Sequence, residues 1–241
     1  MMLFRPLFFL TLLPSLVLAS RGAPADPAGY LAPVIGELGR EYPRNRTVNL
    51  VFHGHSVPAG YFKTPHVDTL NAYPAQLQRE LKARFPTVVL NAIVTAIGGE
   101  DSVRGAARFD RDVLALRPDV VCIDYALNDR RVPEEQVEAS WLSMIRAAKD
   151  AGVPVVLITP TGDATADMAN PEDPLTQRAA LIRKIAVAEK VILADVSAAW
   201  VAELAKGIPQ AELLSQVNHP NLCGHQLAAD TIIKALAEAG L

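Results

Sequence analysis

Val48-Asn49-Leu50-Val51-Phe52-His53-Gly54-His55-Ser56-Val57 passes from an apolar, β-branched run into a glycine, two histidines and a serine. Residues 48–52 read as a buried strand, and Gly54 marks a turn out of it. Four further runs have the same character, at residues 87–92, 120–125, 155–159 and 191–196. They are continuous rather than alternating, the pattern of strands covered by helices on both faces. Amphipathic stretches separate them. Leu77, Leu81 and Phe85 recur every four residues within 75–85, and Pro133-Glu134-Glu135 puts acids in the first turn of another helix, where the helix dipole favours them. Gly152 and Pro154 close that helix. A last helix spans about residues 225–239, with Leu227, Ile232, Ile233 and Leu236 inward. Five β-α units predict a three-layer α/β/α architecture around a five-stranded, parallel, doubly wound sheet.

Composition bounds the function. The chain has 241 residues, half of them apolar, which suits one domain over residues 26–241. A net charge of -3 with no basic stripe argues against a nucleic-acid partner. Arg5, an apolar run over residues 7–18 and small residues at 17–19 and 23–25 follow the order of a secretory signal, with cleavage near 19 or 25. That run is short for a membrane span, so a secreted or periplasmic protein without stable membrane insertion is expected. Cys122 and Cys223 make no disulfide framework. His53 and His55 lack a third ligand nearby, so neither a metal nor an organic cofactor is expected. Nothing in the sequence carries a signature of oligomeric state.

In such a sheet, ligands bind beyond the carboxyl ends of the strands. Four groups fall there, in this order: Ser56 after the first strand, Gly98-Gly99 after the second, Asn128-Asp129 after the third, and Asn218-His219-Pro220 before the final helix. A serine after a strand is by itself more often a helix cap, a glycine pair a turn, and an isolated His-Pro a loop. Their joint placement on one edge points instead to a nucleophile, a base and amide donors. The segment after the first strand lacks the glycine pattern of a phosphate loop, which argues against a nucleotide-binding protein.

These four blocks resemble those of the SGNH hydrolases, also called GDSL-like lipases and acylhydrolases, over nearly all of the mature chain. The resemblance implies a flavodoxin-like fold, with Ser56 as nucleophile and His219 as its base. It further implies an oxyanion hole formed by the Ser56 and Gly99 backbone N–H groups and the Asn128 amide. Three departures stand out: His55 replaces the Asp of Gly-Asp-Ser, Ala126 replaces a Gly, and Gln216 replaces the Asp three residues before His219. A triad acid fixes the imidazole tautomer and stabilises the imidazolium. Here the neutral side chain of Gln216 or a backbone carbonyl would hold the ring, and Asp163 and Asp195 are the remaining acids near strand ends. The expected activity is esterase action on a small acyl group, with O-acetylated carbohydrate or another small ester as substrate. A catalytically silent binding module and a lipid-directed acylhydrolase are the alternatives.

Overall fold

The computed structural model describes residues 27–241. The segment read as a secretory signal lies outside them. Five parallel strands form the central sheet: β1 (Thr47–Gly54), β2 (Val89–Val94), β3 (Val120–Asp124), β4 (Val155–Ile158) and β5 (Ile192–Ala194). Their order is β2-β1-β3-β4-β5, the flavodoxin-like arrangement expected from the sequence.

Period-two geometry explains why the strands are mostly apolar. Val48, Leu50 and Phe52 of β1, with Val120, Cys122, Val156 and Ile158, join one core. Val51 of β1, with Val121, Ile123, Val155 and Leu157, joins the other. Successive side chains point to opposite faces and both faces are covered, so both halves of the alternation are mainly apolar. Helices Tyr73–Arg84 and Leu222–Glu238 cover the first face through Leu77, Leu81, Ile232 and Leu236. Helices Glu134–Asp150 and Pro174–Glu189 cover the second, where Trp141, Met144 and Ile182 are fully enclosed. Among the described residues, no helix is long and apolar enough to cross a membrane.

The element ends shift from their expected positions for local reasons. β1 continues to Gly54 because it stays paired with Asp124 of β3 and accepts from Ile97 N–H. A Cβ on Gly54 would lie 2.4 Å from the Asp124 carbonyl oxygen, so the strand can pass this close to β3 only with glycine there. β2 begins later than expected, since Val88 N–H turns back to the Phe85 carbonyl. The last helix starts at Leu222 because the Asn221 side chain caps it by accepting from Gly224 N–H.

Two buried histidines make this fold acid-sensitive. His53 Nε2 donates to the Gly105 carbonyl, and its Nδ1 meets Thr95 Oγ1 at 2.9 Å. His225 Nδ1 accepts from Tyr73 N–H. Burial lowers both pKa values to about 4. Between that value and the unfolded value near 6.5, the unfolded chain binds more protons, so stability is complete above about 6.5 and falls with pH below it. From pH 7.5 to about 5.0 the loss is roughly 2 kcal/mol per histidine. The urea unfolding midpoint is therefore lower at pH 5.0 than at pH 7.5; equal midpoints would contradict the assignment.

Candidate active site

Strand β1 lies between β2 and β3, where the winding of the sheet reverses, and the loops leaving these strands diverge there. Ser56 opens a four-residue helix, Ser56–Ala59, at the end of β1. His55 caps that helix: its Nδ1 accepts from Val57 N–H at 3.2 Å. The imidazole thus shapes the turn at the position where the family motif has a carboxylate. An acceptor at Nδ1 places the ring hydrogen on Nε2. That atom lies 3.3 Å from Asp124 Oδ1, outside hydrogen-bond geometry, while Asp124 Oδ2 accepts from the Tyr73 hydroxyl.

His219 arrives from a two-stranded hairpin, Leu214–Gln216 paired antiparallel with His219–Pro220. Its Nε2 lies 3.1 Å from Ser56 Oγ, and its Nδ1 lies 3.1 Å from the Phe62 carbonyl oxygen. A carbonyl only accepts, so Nδ1 carries the hydrogen and Nε2 presents its lone pair to the Ser56 hydroxyl. This is the tautomer a general base requires. Burial lowers the His219 pKa; the Phe62 hydrogen bond opposes that shift, and the nearby His55 adds to it. A carboxylate at Nδ1 would act in the opposite direction, favouring the imidazolium.

Gln216 stands opposite His219 in the hairpin, yet its hydrogen bonds go elsewhere. Its Oε1 accepts from Thr64 N–H at 2.8 Å and from Thr64 Oγ1 at 3.1 Å. The expectation of direct contact between Gln216 and the imidazole is thus replaced by contact through a loop: Gln216 fastens Thr64, and two residues earlier Phe62 presents its carbonyl to His219. The loop is closed on itself as well, since Phe62 N–H donates to the His66 carbonyl and His66 N–H to the Lys63 carbonyl. Asp163 and Asp195 are committed to other partners. Asp163 binds Arg130 and Thr165, and Asp195 binds Arg183 and Thr159.

The remaining two blocks border one cavity. Gly99 has φ +75, the left-handed region where glycine is favoured, in a turn closed by Glu100 N–H and the Ile97 carbonyl. Asn128 Nδ2 donates to the Glu100 carbonyl at 2.9 Å, which fixes the orientation of that amide. Neighbouring Asp129 is buried and accepts from Ser102 N–H and Trp141 Nε1, both at 2.8 Å. Burial raises its pKa, and the Ser102 and Trp141 bonds partly offset this. Gly99, Asn128 and Asn218 line a cavity of about 390 Å³ that also meets Asp101, Arg130 and Arg131. Sequence reasoning missed Phe62 as the partner of His219, because a peptide carbonyl has no residue signature. It also missed the buried Glu100–Arg108 pair beneath the Gly99 turn, although Glu100 directly follows the glycine block.

A parallel three-layer sheet carrying a serine–imidazole pair at its switch point defines a serine hydrolase of the SGNH type. The chain belongs to the GDSL-like lipase/acylhydrolase family, whose pattern matches residues 52–227. It is 24% identical over 180 residues to an acetylxylan esterase from Geobacillus stearothermophilus, covering 68% of this chain and 80% of that protein. A crystal structure of an acetylxylan esterase from the same organism superimposes with a TM-score of 0.67 at 24% identity, covering 78% of this chain and 94% of that one. A two-domain esterase active on acetylated mannans gives a TM-score of 0.70 at 21% identity over 88% of this chain; this chain spans only 53% of that protein. LAE5, an α/β hydrolase from the metagenome of Lake Arreo, Spain, gives 0.67 at 26% identity, covering 79% and 95% of the two chains.

Two outcomes follow from the site geometry. With His219 as the base, kcat/KM falls on acidification with a midpoint below the ordinary imidazole value of about 6.5, because an imidazole must be neutral to take a proton. A pH-rate profile with its acid limb above that value would contradict the lowered pKa. Gln216→Ala removes both bonds to Thr64, each worth about 0.5–1.5 kcal/mol, and lowers kcat by roughly three- to tenfold. Ser56→Ala abolishes turnover in the same assay; equal collapse of both variants would give Gln216 a direct part in the chemistry.

Proposed function

We propose that this protein is an exported esterase that removes small acyl groups, acetyl above all, from carbohydrate. The observation that carries the reading is the single imidazole bridging Ser56 Oγ and the Phe62 carbonyl. His219 Nε2 takes the Ser56 proton as Oγ attacks the ester carbonyl carbon. The Ser56 and Gly99 backbone N–H groups and the Asn128 amide hold the resulting oxyanion, each donor worth about 10²–10³ in kcat. The imidazolium then returns its proton to the departing sugar oxygen, leaving an acyl group on Ser56. Water, deprotonated by His219, attacks that acyl carbon; the carboxylic acid leaves and Ser56 recovers its proton. No step calls on a group beyond the protein, substrate and water.

Three features support a sugar ester over a lipid. The cavity beside Gly99 is lined mainly by Asp101, Asn128, Arg130, Arg131 and Asn218, with Leu127 and Val132 as its apolar members. Such a surface suits hydroxyl groups and offers little area to a long acyl chain. Half-exposed Tyr61 sets its ring 5.8 Å from the His219 ring, tilted by 52°, where the face of a sugar could rest beside the base. The activities of the relatives, an acetylxylan esterase and an esterase active on acetylated mannans, agree with this substrate class. Residues 1–25 read as an export signal, which fits an extracytoplasmic polysaccharide as substrate.

The test compares p-nitrophenyl acetate with p-nitrophenyl octanoate and measures acetate release from acetylated xylan and mannan. Acetate release from polysaccharide and preference for the short ester, both lost in Ser56→Ala, are expected. Preference for octanoate would replace this reading with a lipid-directed one. A folded protein that hydrolyses nothing and resists a fluorophosphonate probe would be a silent binding module.

A further inference from the structure

Beneath the Gly99 turn lies a charged network that takes no part in the proposed reaction. Glu100 and Arg108 are both more than nine-tenths buried. Arg108 Nε donates to Glu100 Oε1 at 2.9 Å, and its Nη2 donates to Glu100 Oε2. The Tyr125 hydroxyl donates to the same carboxylate at 2.8 Å, and burial raises its pKa so that it keeps that hydrogen. Arg108 Nη1 reaches Asp112 at 3.2 Å. Gly105 lets the Tyr125 ring approach, since a Cβ there would fall 2.4 Å from Tyr125 Cζ.

Stability alone is a poor reason for this arrangement. Removing two charges from water costs several kcal/mol, and apolar residues of similar volume often serve the fold equally well. What distinguishes the pair is its attachment. Glu100 follows Gly99 directly and its N–H closes the turn on the Ile97 carbonyl, so the carboxylate clamp anchors the end of the turn whose central peptide carries the Gly99 N–H. The Glu100 carbonyl also accepts from Asn128 Nδ2. Two of the three donors assigned to the oxyanion are therefore tied to one residue, and Asn128 keeps its second Nδ2 hydrogen without an acceptor among the described residues.

We propose that Glu100, Arg108 and Tyr125 form a positioning unit that holds the Gly99 N–H and the Asn128 amide in register for the oxyanion. None of the three touches the reacting atoms. The inference rests on the esterase reading of Ser56 and His219, and it adds residues that act through the donors. Pre-aimed donors matter most in the transition state, where the charge develops. Disturbing their support therefore lowers kcat more than it raises KM.

The test uses the triple variant Glu100→Met, Arg108→Met, Tyr125→Phe, which replaces the network by apolar groups of similar shape and leaves no new orphan among its three members. Hydrolysis of p-nitrophenyl acetate is measured across pH, with thermal unfolding to verify the fold. A folded variant with kcat down about tenfold or more, KM within about twofold and the acid limb of the pH profile unmoved is expected. An unmoved acid limb shows that His219 is intact. Wild-type kcat in the folded variant overturns the proposal, and so does a loss that moves the acid limb or resides in KM. If the triple variant does not fold, Tyr125→Phe decides: a kcat loss of about threefold at constant KM supports the unit, and an unchanged kcat overturns it. Absence of hydrolysis by the wild-type protein would instead sink the esterase reading, and this inference with it.

Discussion

The His219 imidazole sits between two oxygens, a hydroxyl that can lose a proton and a peptide carbonyl that cannot. Ser56 lies 163 residues away in sequence and 3.1 Å away in space. That contact demands a particular global arrangement. Strand β1 must lie inside the sheet, between β2 and β3, and helix Leu222–Glu238 must cover the face to which Phe52 points. The hairpin preceding that helix must then fold over the end of β1. Sheet order, the two cores and the Asn221 cap all serve this placement.

A carbonyl in place of a carboxylate changes the chemistry in a definable way. It fixes the same tautomer, because a hydrogen on Nδ1 is the only one it can accept. It brings no negative charge to the imidazolium that the proposed attack by Ser56 would form. The base is consequently weaker and remains neutral further into acid, in keeping with its lowered pKa. The carbonyl must be held still by other means, since a backbone group moves with its loop. The internal bonds of the loop and the Gln216–Thr64 clamp provide that restraint. His55 follows the same logic, one neutral acceptor shaping the serine turn in place of an acid.

Much of this was legible in the sequence because it depends on periodicity and residue type. Apolar runs such as residues 48–52 and 120–125 announce strands buried on both faces, and β-α alternation then leaves few topologies. Ser56, Gly99, Asn128 and His219 stood out as candidates since each proposed role needs a particular side chain or the lack of one. Phe62 was not, because its contribution is a peptide oxygen placed by a loop whose shape depends on distant contacts. Gln216 was one of two neutral groups expected to hold the ring, the other a backbone carbonyl, because it stands three positions before His219; the hairpin register instead sends its side chain to Thr64. The Glu100–Arg108 pair spans a turn and the short helix Ser102–Ala107, a separation with no periodic signal.

A neutral serine–histidine dyad, its ring oriented by a backbone carbonyl, lies at the centre of the proposed site. Nitrogen-15 NMR of the side-chain imidazoles, with His219 assigned through His219→Gln, tests it most directly. The predicted result at neutral pH is a hydrogen on Nδ1, a bare Nε2, and titration below the ordinary imidazole value. A hydrogen on Nε2 at that pH, or titration well above that value, would contradict it.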